Sequence, residues 1–177
     1  AVDINAFTTT QIQALTSAQI PAITTAQLVL LDPAKVAIIN GDINAITTGQ
    51  ISELTTAQIA ILTTRQIQAI STNEIPALTT TQVPIFSTAQ VQAFTTAQIA
   101  AFETRDFAAF TTTQLLVIET VDIGALTTAQ VLAIGTTNIS VLSTAQIAAL
   151  SSTNIQGLSD TQVSLLTTEQ VAAIETV

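Results

Sequence analysis

The densest group of chemically active side chains lies between residues 103 and 122. Arg105 stands between Glu103 and Asp106, and Glu119 and Asp122 follow one step of sixteen residues later. Carboxylates grouped around a guanidinium are candidate ligands for a cation or a small polar molecule. Acidic residues are also favoured at helix N-termini, where they interact with the helix dipole. We therefore expect these residues to act as alternative capping residues rather than as a site.

Composition excludes most other chemistry. The chain has no His and no Cys, so the usual nucleophile–base pairs and the commonest transition-metal ligands are missing. Its five Gly are too few for glycine-rich calcium-binding nonapeptides. The net charge of −9 argues against nucleic-acid binding, which depends mainly on basic contacts to phosphate, and no apolar run approaches the ~18 residues of a membrane span. We predict that the protein is not an enzyme, has no catalytic, cofactor-binding or metal-binding residue, needs no cofactor, and neither binds nucleic acid nor inserts into a membrane.

Two regular columns of side chains offer further candidates. Phe86, Phe94, Phe102 and Phe110 recur every eight residues, as an aromatic ligand platform or, as we expect, as core residues supplying one large side chain per coil. Thr-Thr pairs recur at the same interval, and regular Thr arrays can match ice or another ordered surface. Helix capping accounts for the first Thr of each pair and leaves the second less explained. Binding of ice, a glycan or a cation through the Thr columns or the acidic cluster therefore stays open as an alternative function.

All of these residues belong to one repeat of eight residues. Residues 87–110 read STAQVQAF, TTAQIAAF and ETRDFAAF: a hydroxyl or acidic residue, Thr, a variable residue, a polar residue, Ile or Val, a variable residue, Ala and a large apolar residue. We predict that residues 1–177 form a single tandem array of about 22 such octads. The array is irregular at 32–46, where DPAKVAII departs in its first half and NGDINAI lacks one residue.

The order of residue types within the octad favours a short helix. Thr at position one and Gln at position four form a capping-box pattern, in which each side chain bonds the backbone amide of the other residue. Asp32-Pro33 fits an N-cap followed by Pro at the first helical position, and Asn40-Gly41 fits a helix stop. Positions five and eight, three residues apart, are always apolar, which is a helical spacing. The predicted fold is an all-α solenoid of short helices.

A β-solenoid is the alternative fold. Pro21, Pro76 and Pro84 occupy position six, where a helix would lose a hydrogen bond, and Thr and Ile are better strand formers than helix formers.

The residues at position four indicate the size of one coil. Asp106, Asp122, Asn138 and Asn154 replace Gln at intervals of sixteen residues, which suggests two octads per coil, although Asp3 and Lys35 lie outside this alternation.

Several octads carry a resemblance to a known repeat class. TTAQIAAF (95–102), TTAQVLAI (127–134) and STAQIAAL (143–150) resemble the Thr-Thr-Ala-Gln-Ile-Ala-Ala-Leu octads of long low-complexity regions in very large bacterial proteins. Those proteins look like secreted or surface-attached adhesins. The resemblance implies an extracellular or cell-surface location and a spacer-like or filament-forming role, and it supplies no site residue.

These observations together predict a structural repeat protein that forms a filament, a stalk or an adhesin segment. The sequence starts and stops inside an octad, with Glu175, Thr176 and Val177 in positions one to three, as in a processed product or a piece of a longer array. The terminal octads keep the apolar columns, whereas soluble solenoids usually have polar terminal caps. We therefore expect the chain to associate end to end with its own kind or with neighbouring repeats.

Overall fold

The chain folds into a succession of short helices. The computed structural model describes residues 3–39 and 41–174, and those ranges contain no strand. The α-helices are α1 (Thr9–Gln13), α2 (Thr25–Leu30), α3 (Pro33–Ala37), α4 (Thr48–Glu53), α5 (Thr56–Ala60), α6 (Thr64–Ala69), α7 (Thr88–Ala93), α8 (Thr96–Ala101), α9 (Thr104–Phe107), α10 (Thr112–Leu115), α11 (Thr120–Gly124), α12 (Thr128–Ala133), α13 (Gly135–Ile139), α14 (Thr144–Ala148), α15 (Ser152–Gln156), α16 (Asp160–Ser164) and α17 (Thr168–Ile174). Five 3-10 helices complete the array: Ile4–Ala6, Ile20–Ala22, Gly41–Ala45, Ile75–Ala77 and Val83–Ile85. The predicted all-α solenoid is confirmed, and these elements give the β-solenoid no support.

Eleven of the α-helices start with the predicted capping box. In the octad of α8, the backbone N–H of Gln98 donates to the Thr95 hydroxyl at 3.3 Å, and the backbone N–H of Thr95 donates to Gln98 Oε1 at 2.8 Å. The same reciprocal pair caps α1, α2, α4, α5, α6, α7, α10, α12, α14 and α16. Phe102, at position eight, has an extended backbone, so α8 ends there and the next cap follows directly. Asn40, the first residue of the predicted Asn40-Gly41 stop, lies outside the described ranges. The terminal residues 175–177 also lie outside them.

Proline at position six changes the type of helix rather than the fold. Pro21, Pro76 and Pro84 lie within the 3-10 helices Ile20–Ala22, Ile75–Ala77 and Val83–Ile85. Proline has no N–H to close an α-helical turn, and the residue after it donates three residues back instead, as Ala77 does to the Glu74 carbonyl at 2.9 Å. The prolines that argued for β structure are thus accommodated by tighter helical turns.

Positions five and eight form one continuous core. Ile59 and Ile99, at position five, are completely buried, and Leu62 and Phe102, at position eight, are nearly so. The buried apolar residues join into a single cluster that runs from Ile4 to Leu150. Because an octad has only two large apolar side chains, it is stabilised by the octads stacked against it, as in other solenoids.

One coil contains four octads, so the prediction of two octads per coil was wrong. Gln98 donates to the carbonyl of Ile67, which lies 31 residues earlier. This separation is four octads minus one residue, because the bond runs from position four of one octad to position five of the fourth octad before it. The same separation recurs in the glutamine bonds from Gln82 to Gln170. The sixteen-residue alternation of Asp and Asn therefore marks two opposite sides of each coil and not a full turn.

The shortened octad at 40–46 is absorbed within one coil. The separation drops to 30 residues for Gln50, Gln58 and Gln66, whose hydrogen bonds span this octad. It returns to 31 residues at Gln82. A missing residue therefore changes the register of the coils that span it and leaves the later coils as they were.

Candidate functional site

The most regular set of polar contacts is a row of buried glutamines between coils, here called the glutamine ladder. Gln98 is 2% exposed, and its Nε2 donates to the carbonyls of Ile67 at 2.8 Å and Ile70 at 2.6 Å. Gln114 repeats this pattern on Val83 at 2.9 Å and Phe86 at 2.7 Å. The other members that bond both carbonyls are Gln50, Gln58, Gln66, Gln82, Gln90, Gln130, Gln146 and Gln170.

The ladder solves a problem that short helices create. The last four carbonyls of an α-helix lack the usual bond from the amide four residues later. In an octad these include position eight and position five, whose carbonyl accepts within the octad only from the position-eight N–H three residues on, as Ile67 does from Ile70 at 3.2 Å. A glutamine from the next coil supplies both amide hydrogens to these two carbonyls, while its Oε1 accepts from its own N-cap amide. One side chain therefore caps the start of its own helix and the end of the helix beneath it.

Sequence reasoning found only the first of these two roles. A capping box accepts Glu as readily as Gln, yet Gln occupies position four in most octads and Glu only once, at Glu74. This preference was the available signal, because Glu has no N–H to donate to another coil. Lys35, which broke the expected alternation, also bonds the coil beneath, since its Nζ donates to the Asn5 carbonyl.

The two ends of the described solenoid differ from its middle. Gln11 and Gln19, in the first coil, are exposed. Val163 and Val171, at position five of the last described octads, are 50% and 41% exposed, whereas Val131 at the same position is completely buried. One end therefore presents glutamine amides, and the other presents apolar side chains with helix C-terminal carbonyls.

The predicted acidic cluster is divided between different sides of the coil. Arg105 Nε lies 3.0 Å from Glu103 Oε2 and 3.5 Å from Asp106 Oδ2, and these are the ion pairs of the described residues. Glu119 and Asp122 belong to the octad two further along, half a coil away, and pair with none of these three. No group of three or more His, Cys, Asp or Glu in the described ranges is placed to hold a metal ion. The five residues therefore do not form one site.

Asp106 is buried without a hydrogen-bond partner. The residue is 1% exposed, and neither Oδ1 nor Oδ2 has a hydrogen bond. Burial raises the pKa of its carboxyl above the ordinary value of 3.8, and the nearby Arg105 guanidinium only partly opposes that rise. As expected from sequence, Asp106 lies in the first turn of a helix, α9, yet its carboxyl caps nothing.

Where Asp or Asn replaces Gln, a threonine from the coil beneath usually donates to the oxygen of the shorter side chain. Thr96 Oγ1 donates to Asp122 Oδ1 at 2.6 Å, and Thr128 Oγ1 donates to Asn154 Oδ1 at 3.0 Å. Thr112 Oγ1 makes the same contact with Asn138 Oδ1 at 2.7 Å. Each donor is the second Thr of its octad and lies 26 residues before its acceptor. These contacts explain part of what capping left unexplained in the Thr-Thr pair.

The phenylalanines are core residues, as predicted, but they are not spread over successive coils. Phe86, Phe94, Phe102 and Phe110 belong to four consecutive octads, which make up one coil, and each is nearly buried. Consecutive ring centroids are 5.2, 5.2 and 5.1 Å apart, with interplanar angles of 88°, 82° and 74°. These are edge-to-face contacts. All four octads of this coil therefore contribute a buried ring at position eight, and these four rings have no exposed face for a ligand.

The two threonines of one octad should respond differently to the same substitution. Thr63→Val removes the hydroxyl that accepts from the Gln66 amide at 3.2 Å, and we expect it to lower the free energy of unfolding by about 1 kcal/mol. Thr64→Val changes an exposed residue and should alter stability by less than about 0.5 kcal/mol. Urea denaturation of both variants measures the difference. A larger loss for Thr64→Val than for Thr63→Val would contradict the capping assignment.

Comparison with known families identifies this repeat. The chain matches the model of the ALTTAQ repeat over residues 2–33, 36–72, 67–102, 115–152 and 144–176. The chain belongs to the ALTTAQ repeat family. The ALTTAQ hexapeptide itself occurs at residues 125–130, where it covers the end of one octad, the next cap and the ladder donor Gln130. The first match spans 32 residues, the length of one coil of four octads. No curated protein and no solved structure matches this ALTTAQ repeat chain.

Proposed function

We propose that this ALTTAQ repeat chain is a non-enzymatic structural protein that forms a filament, a stalk or an adhesin segment outside the cell. The observation that carries the proposal is the glutamine ladder. At coil after coil it uses the same donors and the same acceptors, so the groups that might bind a ligand hold neighbouring coils together instead. The resemblance of its octads to those of large bacterial adhesin-like proteins supports the extracellular location.

The unequal ends of the described solenoid support growth by stacking. Gln11 and Gln19 at one end have exposed side chains. Elsewhere in the ladder, the side-chain amide of a glutamine at the same position donates to carbonyls of the coil beneath. The other end presents the apolar residues Val163 and Val171 and the carbonyls of the same octads. A further coil, from the same chain or from a second copy, would bury both surfaces. Burial of apolar surface and completion of the ladder would both favour that contact.

Assembly of the purified chain tests this proposal. We expect negative-stain microscopy and sedimentation to show filaments that lengthen with protein concentration. The double variant Gln11→Glu, Gln19→Glu should stop this growth, because it would place carboxylates against the carbonyls of the neighbouring copy. Both residues are exposed, so the fold should be retained, which far-UV circular dichroism checks.

A matched control uses the same chemical change on the side of the solenoid. Gln92 is exposed at position six, and Gln92→Glu adds the same charge away from both ends, so it should leave assembly intact. Filaments that persist in the double variant would contradict the ladder as the growth contact. Particles that stay monomeric at every concentration would contradict the filament and leave the stalk. Antibody labelling of producing cells only after lysis would contradict the extracellular location.

The alternative, surface binding through Thr columns, is tested with Thr64→Val. Loss of binding to ice, to a glycan array or to immobilised cations, with stability unchanged, would favour the binding module over the structural role. We expect no such loss, because the second threonine of an octad has a structural role elsewhere in the array: Thr96, Thr112 and Thr128 donate their hydroxyls to the next coil.

A further inference from the structure

Asp106 lies at position four, where glutamine forms the ladder, but an aspartate has no N–H to donate to the coil beneath. Its octad (103–110) stacks on the octad 71–78, as the neighbouring octads of Gln98 and Gln114 stack on 63–70 and 79–86. A glutamine at 106 would therefore donate to the carbonyls of Ile75 and Leu78. An ionised aspartate can only accept hydrogen bonds, so it would face two acceptors from a buried position.

Asn154 shows that a side chain of this length at position four can reach a carbonyl of the coil beneath. Its Nδ2 donates to the Leu126 carbonyl at 2.8 Å, 28 residues earlier. The carbonyl at the same separation from Asp106 is that of Leu78. Aspartate has the same length as asparagine, so from the stacking of the octads we infer that one of its oxygens faces the Leu78 carbonyl. A carboxyl oxygen donates only when it carries a proton.

The hydrogen bond that a threonine donates to other short side chains at position four is absent at Asp106. Asp122 and Asn154 each accept from a threonine 26 residues earlier, and the residue at that separation from Asp106 is Thr80. Thr80 lies in the octad of Pro84, whose helix is the 3-10 helix Val83–Ile85, and neither oxygen of Asp106 accepts a hydrogen bond. Thr80, in the coil beneath, therefore does not make with Asp106 the contact that Thr96 makes with Asp122 and Thr128 makes with Asn154.

We propose that Asp106 makes a pH-dependent contact between two coils. Its neutral carboxyl donates a hydrogen bond to the Leu78 carbonyl, and its ionised carboxylate does not. When the acid ionises, its proton passes to solvent and that hydrogen bond is lost. The remaining carboxylate is then attracted only by Arg105. This inference does not depend on the proposed function.

The charged groups around Asp106 fit this assignment. On its own helix these are Glu103, which disfavours a second negative charge, and Arg105, which is exposed and 3.5 Å from Oδ2. From the coil beneath, Glu74 precedes the helix Ile75–Ala77 and bonds Ser71. From the coil above, α12 (Thr128–Ala133) contributes no titratable side chain. Arg105 is thus the sole cation of these elements, and burial outweighs it in raising the pKa of Asp106.

The direction of the pH effect follows from this raised pKa. An acid whose pKa is higher in the folded chain stabilises the fold fully below its ordinary value of 3.8 and loses that contribution as pH rises through the folded value. Asp106→Asn keeps the shape and supplies a donor at every pH. The variant should therefore match the parent chain near pH 3 and have a higher melting temperature at pH 7.

The decisive measurement is the 13C resonance of the Asp106 side-chain carboxyl in the whole chain, followed against pH. We expect its midpoint to lie above 3.8, and to rise further in Arg105→Gln, which removes the opposing cation. Asp160→Asn, at an exposed acid, controls for loss of a negative charge and should not flatten the pH dependence. A midpoint at or below 3.8, identical pH profiles for the parent and Asp106→Asn, or a resonance that moves on adding Ca²⁺ at fixed pH would overturn the proposal.

Discussion

Gln98→Glu is expected to lower the free energy of unfolding by about 3–5 kcal/mol at pH 7. Glutamate keeps the oxygen that accepts from the Thr95 amide, so the capping box survives. It loses both hydrogens that Gln98 donates to Ile67 and Ile70, and it buries a charge against two carbonyl oxygens. Near pH 3 the neutral acid recovers one donor, so part of the loss should disappear. Urea denaturation at both pH values measures the effect.

The control for this substitution is Gln11→Glu in the first coil. Gln11 makes the same capping box with Thr8, but its side chain is exposed, and no coil of this sequence lies beneath it. An acid in the first turn of a helix is also favourable. The change in stability should therefore stay within about 0.5 kcal/mol. Equal losses in the two variants would mean that glutamine acts only as a cap and that the ladder contributes nothing.

Phe94→Ala is expected to destabilise the chain by about 3–5 kcal/mol. The Phe94 ring contacts both Phe86 and Phe102 edge to face at 5.2 Å, and its removal leaves a cavity inside one coil and breaks two aromatic contacts. Phe94→Leu should cost less than about 1.5 kcal/mol, because leucine fills position eight in other coils. Denaturation followed by far-UV circular dichroism compares the variants.

Leu132→Ala is the matched truncation on the surface. Leu132 lies at position six and is 43% exposed, so its loss should be close to neutral. If Phe94→Ala were no worse than Leu132→Ala, the rings would not form the core of their coil. If Phe94→Leu were as harmful as Phe94→Ala, the aromatic contacts themselves and not the filled volume would be essential.

Local features of this fold were predictable because the octad carries its own instructions. Thr95 and Gln98 specify a helix start within four residues, and Ile99 and Phe102 specify the buried face. Such signals need no knowledge of distant residues. The conformation of the Pro21 octad was harder to predict, since the missing proline N–H is compatible with a strand, a corner or the 3-10 turn that forms.

Coil size and the ladder were not predictable in the same way. Nearly identical octads give no sequence signal for which octad stacks on which, and the spacing of Asp106, Asp122, Asn138 and Asn154 is compatible with any coil that contains an even number of octads. The second role of Gln98 depends on a partner 31 residues away. The absence of a hydrogen bond to the Asp106 carboxyl likewise depends on what the coil beneath presents to it.

The pairing of each octad with the fourth one before it has a consequence for how such arrays can lengthen. Inserting a single octad moves every later octad to the next side of the coil, yet each still finds a glutamine-bonding octad beneath it. Only pairs that need particular partners, such as Thr96 with Asp122, would be separated. Duplication or loss of eight residues therefore preserves the architecture, so genetic length variation in this array need not occur in whole coils.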